Sequence, residues 1–434
     1  MSLVAELADR AHAVAQEPIP ERVREATQAH LADTVAAVLA GRTTLREPVE
    51  RLADGLQLEP GSRRTAFVAG VYANGWEVAG IHRAAVLCPG CVVLPATLAA
   101  LEMRPEVSWA EYLHAYLAGY EVALAAALAV GGDRLIAQGW WPTALVAPLG
   151  GAAAASILLG EPVAKTASAI ALAAQQAGGA IAGSTADANG RYLLSGLAAE
   201  RAISAVLAVR AGWRGPLDIL DDPRSPLLRQ RTPPDGYLLP QTSMKAHAGA
   251  KHVQAAVDAL ATVDGSDVLG IRCALPAQLV RAVDRPPPFG SPLNALASAQ
   301  YMLAVSVRRG RCSPWEFQPE LLRDKAILDL AGQVRVEGAD DLSAEYPASW
   351  GVRVEVRTTS GAVQFVRRDA RGDPGHELTT AELVEKIVTL TGRSLGDETA
   401  RDLATALLGA DPSPAVLTTH VLPLLRRPHA FQEA

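Results

Sequence analysis

The chain has 434 residues, of which 49% are hydrophobic and 20% are charged, and its formal net charge is −6. This composition provides ample material for a globular core, and the acidic balance excludes a general nucleic-acid-binding protein, which needs a basic face. The N-terminus is amphipathic and carries acids, so we expect no signal peptide, and four cysteines without framework spacing predict a reducing, cytoplasmic location.

Residues 1 to about 262 have a helical pattern almost throughout. The segment 20–41 repeats apolar residues at three- and four-residue spacing and ends on glycine. The segment 108–132 begins with Ser108, and Glu111 three positions later completes a predicted capping box. The apolar stretch 144–160 is rich in alanine and glycine and falls short of spanning length, so we expect a buried helix and no membrane partner.

The pattern changes after residue 262. Residues 267–276 and 333–339 are predicted strands, and alternating valines and charged residues over 350–370 predict a hairpin around a Thr-Ser-Gly turn. A helix over 378–392 is expected to be capped by Thr379 or Thr380. The predicted fold is therefore mainly α, with a large all-α helical domain (1–262, to which 393–434 return) and a smaller α+β lid domain (263–392).

The tetrapeptide Cys-Pro-Gly-Cys at 88–91 has several interpretations. A zinc site would need further ligands, and the remaining cysteines, Cys273 and Cys312, are single and fall in the predicted lid. A redox dithiol would favour a helix N-terminus in a βα context. Cys88 is alternatively a pocket residue, with Cys91 packed as a small apolar side chain. The sequence contains no P-loop, dinucleotide fingerprint or nucleophile elbow, so we predict no cofactor and no metal.

A series of strings in chain order resembles the MmgE/PrpD family. The stretches that carry the resemblance are YANGWEVAG with CPGCVVLPATLAALE (72–102), GYEVALAAALAVG with GWWPTALVAPLGGAAAASILLG (119–160), GLAAERAISAVLAVRAGWRGP (196–216), KAHAGAKHVQAAVDAL (245–260), NALASAQYMLAVSVRRGRCSPWEF (294–317) and RGDPGHELTTAELVEKI (371–387). The resemblance implies a helical domain with an α+β lid, a site between them, metal-free chemistry on carboxylic acids, and a homodimer. Members include 2-methylcitrate dehydratase and cis-aconitate decarboxylase.

The polar residues of the family's site are mostly exchanged here. Cys88 replaces the histidine of its HPG string, Trp141 the histidine of GFHPT, and Arg191 a lysine, whereas Lys245 keeps the family's residue type. The Asp-rich loop is shortened, and His82 falls within it. An indole can only donate a hydrogen bond, and arginine keeps the charge of lysine but does not titrate near neutrality. The resemblance and the cationic run 245–252 together suggest two groups of site residues: catalytic Lys245, His82, Cys88 and His247, and substrate-binding Arg191, Trp141, Lys251 and His252.

The sequence therefore predicts a cofactor-independent lyase or isomerase acting on a small or specialised-metabolite carboxylic acid. Elimination, decarboxylation, epimerisation and a cyclisation begun by deprotonation all fit, and the exchanged residues argue against methylcitrate and cis-aconitate as substrates. With Trp141 in place of a polar residue, we expect a substrate more apolar than a tricarboxylate. The alternative is a catalytically inactive homologue that binds a ligand or a partner protein.

Overall fold

The computed structural model describes residues 1–181, 189–410 and 412–426. Most of its first 260 residues form helices packed around one core. These helices are α1 (Leu3–Gln16), α2 (Glu21–Gly55), α3 (Ser62–Asn74), α4 (Gly90–Met103), α5 (Trp109–Val130), α6 (Gly132–Ala137), α7 (Pro142–Leu158), α8 (Val163–Gln175), α9 (Leu193–Arg210) and α10 (Gln254–Leu260).

Close approach of α5 and α7 forms the centre of this helical domain. Ser108 and Glu111 cap α5 reciprocally, as predicted. A Cβ atom at Gly150 would lie only 2.2 Å from the Gly119 carbonyl oxygen, so the two helices meet at a distance that only glycine permits. α5 and the segment Gly190–Arg210 are long and apolar enough to cross a membrane, but 89% of the α5 window is buried in the protein.

The second part of the chain is an α+β unit. Its elements are β1 (Val268–Pro276), α11 (Ala277–Val283), α12 (Pro292–Leu296), α13 (Ala299–Arg309), α14 (Lys325–Ala331), β2 (Val334–Ala339), α15 (Asp340–Glu345), β3 (Val352–Thr358) and β4 (Gly361–Arg367). The sheet order is β2-β1-β3-β4, with β1 parallel to β2 and the other pairs antiparallel. The predicted strands and hairpin are confirmed within a few residues.

The last helices return to the helical domain. They are α16 (Thr380–Leu395), α17 (Asp397–Leu408), α18 (Ala415–His420) and α19 (Leu422–Arg426). Thr379 caps α16 in a box with Glu382. α16 falls inside the predicted lid segment yet packs against α2 as well as α17. The predicted fold class, a large helical domain with a smaller α+β lid, is confirmed.

Helix ends gather at one place in the helical domain, as the contacts of Arg191 with Glu77 and Trp141 and of Cys88 with Thr143 show. α3 ends at Asn74, just before Glu77, while α4, α7 and α9 begin directly after Pro89, Trp141 and Tyr192. A helix N-terminus carries partial positive charge and unpaired N–H groups. Three such N-termini therefore lie beside the residues described next.

Candidate active site

Glu77 lies in the turn that follows α3, in a left-handed backbone conformation with φ of 50°. Such a conformation is uncommon for a residue other than glycine and marks local strain that its surroundings must hold. Its N–H donates to the Asn74 carbonyl oxygen at 3.1 Å, and its own carbonyl oxygen accepts from Lys245 Nζ at 2.7 Å. Lys245 is almost fully buried. The backbone of Glu77 is thus held by a lysine that is 168 positions away.

The carboxylate of Glu77 is held by Arg191 and Tyr192. The Tyr192 hydroxyl donates to Glu77 Oε1 at 2.7 Å, and Arg191 Nη2 forms a close ion pair with the same oxygen. Burial by itself would raise the pKa of Glu77, but Arg191, Lys245 and the Tyr192 hydrogen bond outweigh it, so the pKa is lowered. Glu77 is therefore ionised at neutral pH.

Arg191 lies between aromatic faces. Its guanidinium carbon is 5.9 Å from the centre of the Trp141 ring and 5.0 Å from that of Tyr192, within the range of cation–π attraction. Burial opposes its charge, but the Glu77 carboxylate raises the pKa of Arg191 above its usual value. Arg191 is consequently a fixed cation, and one third of its side chain remains exposed to solvent.

His252 approaches the same group from the turn that precedes α10. Its ring stacks on Trp350 of the α+β unit with centroids 4.9 Å apart, and its buried Nδ1 atom has no hydrogen-bond partner among the residues that the structure describes. Burial lowers the pKa of His252 to about 4; Glu77 acts in the opposite direction, and Lys245 and Arg191 act in the same direction. The imidazole is neutral at neutral pH and retains one uncommitted nitrogen.

Cys88 completes the group in front of α4. Its N–H donates to Thr143 Oγ1 at 3.1 Å in the first turn of α7. Burial raises the pKa of the Cys88 thiol, although Lys245 and Arg191 partly oppose it, so the side chain is a neutral thiol at neutral pH. A thiol in this state is not an activated nucleophile. We call this set the Glu77 cluster: Glu77, Cys88, Trp141, Arg191, Tyr192, Lys245 and His252.

Neither the zinc nor the dithiol interpretation of Cys-Pro-Gly-Cys fits this environment. Cys91 lies fully buried in α4, and both cysteines are free. Burial raises the pKa of Cys91 well above its usual value, with Cys88 acting in the same direction. Within residues 1–181, 189–410 and 412–426, no three His, Cys, Asp or Glu side chains group as a metal site. The cysteine that belongs to the Glu77 cluster is Cys88, and Cys91 packs in the core.

Comparison with known proteins identifies the family. Residues 55–228 match the MmgE/PrpD N-terminal domain, and residues 247–409 match the MmgE/PrpD C-terminal domain. The chain belongs to the MmgE/PrpD family. It is also 29% identical over 167 residues to a cis-aconitate decarboxylase-like protein of Aspergillus oryzae, an alignment that covers 37% of this chain and 34% of the relative. These matches support a lyase- or dehydratase-like family.

In this MmgE/PrpD member, the Glu77 cluster includes five of the eight residues singled out in the sequence. They are Lys245, Cys88, Arg191, Trp141 and His252. The structure places the remaining three elsewhere. His82 accepts a hydrogen bond from the Ala85 N–H through Nδ1 at 3.1 Å, inside its own loop.

His247 and Lys251 have carboxylate partners outside the cluster. His247 Nε2 lies 2.9 Å from Asp258 Oδ1, and Lys251 Nζ lies 2.6 Å from Asp373 Oδ1. Asp373 also forms an ion pair with Arg83 of the helical domain, with Arg83 Nη1 and Asp373 Oδ2 3.4 Å apart. This geometry suits residues that fasten the 245–252 loop to its neighbours better than residues that bind substrate.

Sequence reasoning did not select Glu77, Tyr192 and Trp350. Glu77 was the one acid left where the family has its Asp-rich loop, and Tyr192 is the neighbour of Arg191, so both had a local signal. Trp350 had none, because only the folded chain brings it onto His252, 98 positions earlier in the sequence.

Proposed function

We propose that this MmgE/PrpD protein is a lyase or isomerase that moves a proton next to the carboxylate of a small organic acid. The observation that carries the proposal is the Glu77 cluster itself. Fixed cations, a neutral imidazole with a free nitrogen and a phenol meet there between the helical domain and the lid. Proton transfer beside a carboxylate needs a cation for the carboxylate and a base within hydrogen-bond reach.

The charges of the cluster favour a substrate with one carboxylate. Arg191 and Lys245 are cationic and Glu77 is anionic, while His252 and Cys88 are neutral. One positive charge is therefore unbalanced among these residues. Lys245 has one hydrogen-bond acceptor within the described chain, the Glu77 carbonyl oxygen, whereas an ammonium carries three donors. The adjacent N-termini of α4, α7 and α9 add further attraction for an anion.

Lys245 and His252 are the members of the Glu77 cluster that act on the substrate directly. Lys245 holds the substrate carboxylate, and His252 removes the proton from the neighbouring carbon. The electron pair of the broken C–H bond enters the carboxylate, giving an enediolate that Lys245 and the helix N-termini stabilise. Protonation of the other face by solvent, with loss of the His252 proton to solvent, gives an epimer. Departure of a β-substituent with its bonding pair, protonated by the His252 imidazolium that has just taken the proton from carbon, gives an elimination. Negative charge bound beside His252 raises its pKa, which improves it as a base.

We infer a cytoplasmic homodimer that acts without a cofactor and without nucleic-acid or membrane partners. The apolar walls provided by Trp141 and Trp350 suit a specialised-metabolite acid better than methylcitrate or cis-aconitate.

Exchange of substrate α-protons in D2O tests this function. The wild type is measured by NMR on a panel of mono-, di- and tricarboxylic acids, beside Lys245→Ala and the control Lys325→Ala, in which an exposed lysine paired with Asp329 is removed. We expect exchange or turnover with a monocarboxylate, a loss of about 100-fold or more in Lys245→Ala, and normal rates in the control. No exchange and no turnover with any acid would refute a proton-transfer enzyme.

A binding protein without turnover is the second candidate. The ion pair between Arg191 and Glu77 favours a binding protein, because Arg191 already has a counter-ion and is less available to a reacting substrate. In this case calorimetry detects binding of a carboxylate that Lys245→Ala abolishes, while the D2O experiment finds no exchange.

A further inference from the structure

Two lysines hold consecutive carbonyl groups of the strained turn. Lys245 Nζ donates to the Glu77 carbonyl oxygen at 2.7 Å, and Lys386 Nζ donates to the Val78 carbonyl oxygen at 3.1 Å. The peptide before Glu77 is fixed as well, by its N–H bond to Asn74. Three successive peptide planes around the left-handed residue therefore each have an anchor.

Lys386 reaches the turn from α16, far along the chain. Its ammonium also forms a close ion pair with Asp33 Oδ1 of α2, and the two side chains are 9% and 1% exposed. Separation of such a buried pair would leave two uncompensated charges, which costs free energy. The Lys386 ammonium is therefore held in place beside Asp33. None of the catalytic steps above uses Lys386 or Asp33.

We propose that Lys386, held by Asp33, is a positioning residue that keeps the Glu77 carboxylate aligned with Arg191 and Tyr192. A left-handed glutamate persists only where its surroundings over-determine it. The Lys386 bond fixes the peptide that follows Val78, and the Glu77 side chain starts one residue earlier. If the turn relaxes, Glu77 loses its alignment and Arg191 loses its counter-ion. This inference rests on the proposed role of the Glu77 cluster.

The test replaces Lys386 by methionine, which keeps the length and apolar stem of lysine but removes its donors. Lys325→Met is the matched control at an exposed site. We expect kcat to fall about 100-fold in Lys386→Met while KM changes less than about threefold, because a misplacement of about 1 Å caused by a mutation away from the reacting atoms has an effect of this size. Lys386→Arg, which can donate to both Asp33 and Val78, is expected to recover at least tenfold of that loss.

A second readout does not depend on activity. In a crystal structure of Lys386→Met we expect Glu77 to leave the left-handed region and its carboxylate to leave Tyr192. Where Lys386→Met does not fold, Lys386→Gln is measured with the same expectations. A kcat within threefold of wild type, or Glu77 unmoved in the variant, would overturn the proposal. Absence of any activity in the wild type contradicts the proposed function instead, and the crystallographic comparison then decides the positioning role alone.

Discussion

Replacing Glu77 by glutamine should change how many carboxylates the site accepts. Glutamine keeps the shape of the side chain and can still accept hydrogen bonds from Tyr192 and Arg191 through its amide oxygen. It removes the negative charge that neutralises Arg191. The unbalanced charge of the Glu77 cluster then rises from one to two, so a second carboxylate gains a cationic partner and loses a repulsive neighbour.

The size of the effect follows from the exposure of Arg191. Two unit charges about 4 Å apart attract by about 1 kcal/mol in bulk water and by about 4 kcal/mol near a protein surface. One third of the Arg191 side chain is exposed, so the lower part of this range applies, about 1–2 kcal/mol. At 1.4 kcal/mol for each tenfold change in affinity, this corresponds to a gain of about five- to thirtyfold for a second carboxylate.

Isothermal titration calorimetry with butyrate and succinate measures this preference with acids of equal chain length. The ratio of the two dissociation constants is compared between wild type and Glu77→Gln at constant ionic strength, since salt screens exposed charges. Glu106→Gln, at an exposed position before α5, is the control and should leave the ratio unchanged. A ratio that stays constant in Glu77→Gln, or moves towards butyrate, would refute the charge balance on which the proposed substrate class rests.

The buried histidines predict one effect of pH on stability and one on activity. Burial lowers the pKa of His30 and of His82 to about 4, so the unfolded chain binds more protons between pH 4 and 6.5 and stability falls as the pH falls through this window. From pH 7 to pH 5 each histidine should lower the free energy of unfolding by about 2 kcal/mol, partly offset by Asp33, whose pKa burial raises. Urea unfolding of wild type and His82→Gln measures this, and an equal pH dependence in both would contradict it. For activity, kcat/KM should stay level from pH 7.5 to about 5, because the pKa of about 4 keeps His252 neutral. A fall centred near pH 6.5 would show that His252 titrates at the ordinary pKa of histidine, and it would contradict the lowered pKa.

The fold could be predicted because its signals are local. Helical periodicity, the capping boxes at Ser108 and Thr379, and the alternation over 350–370 each depend on neighbouring residues. The place where α16 packs could not be predicted in this way. Its amphipathic pattern shows that one face is buried but not that α2 is the partner. The ion pair from Lys386 of α16 to Asp33 of α2 joins residues 353 positions apart.

The candidate site was predictable only in part, for the same reason. Lys245 was found because its residue type and its place in the chain fit the family resemblance. Glu77 could not be selected from its local sequence, because its place in the site depends on the ion pair with Arg191, 114 positions away. His247 and Lys251 stood out as a cationic run, but each has a carboxylate partner from a distant segment, which no local pattern shows.

The exchanges that the family resemblance implies at positions 141 and 191 form one arrangement and are not separate losses. Arg191 stands where the family has a lysine, and its planar guanidinium can stack on the Trp141 ring, which replaces a histidine. An ammonium at position 191 would be a compact, strongly hydrated charge that gains less from such a wall. Glu77 in turn balances the permanent charge that the arginine brings. Two titratable groups have thus been exchanged for a fixed cation with its counter-ion and an aromatic support, so that proton transfer is left to His252 while Lys245 holds the substrate carboxylate. Restoring a single family residue at 141 or 191 would therefore disturb this support before it restored any acid or base.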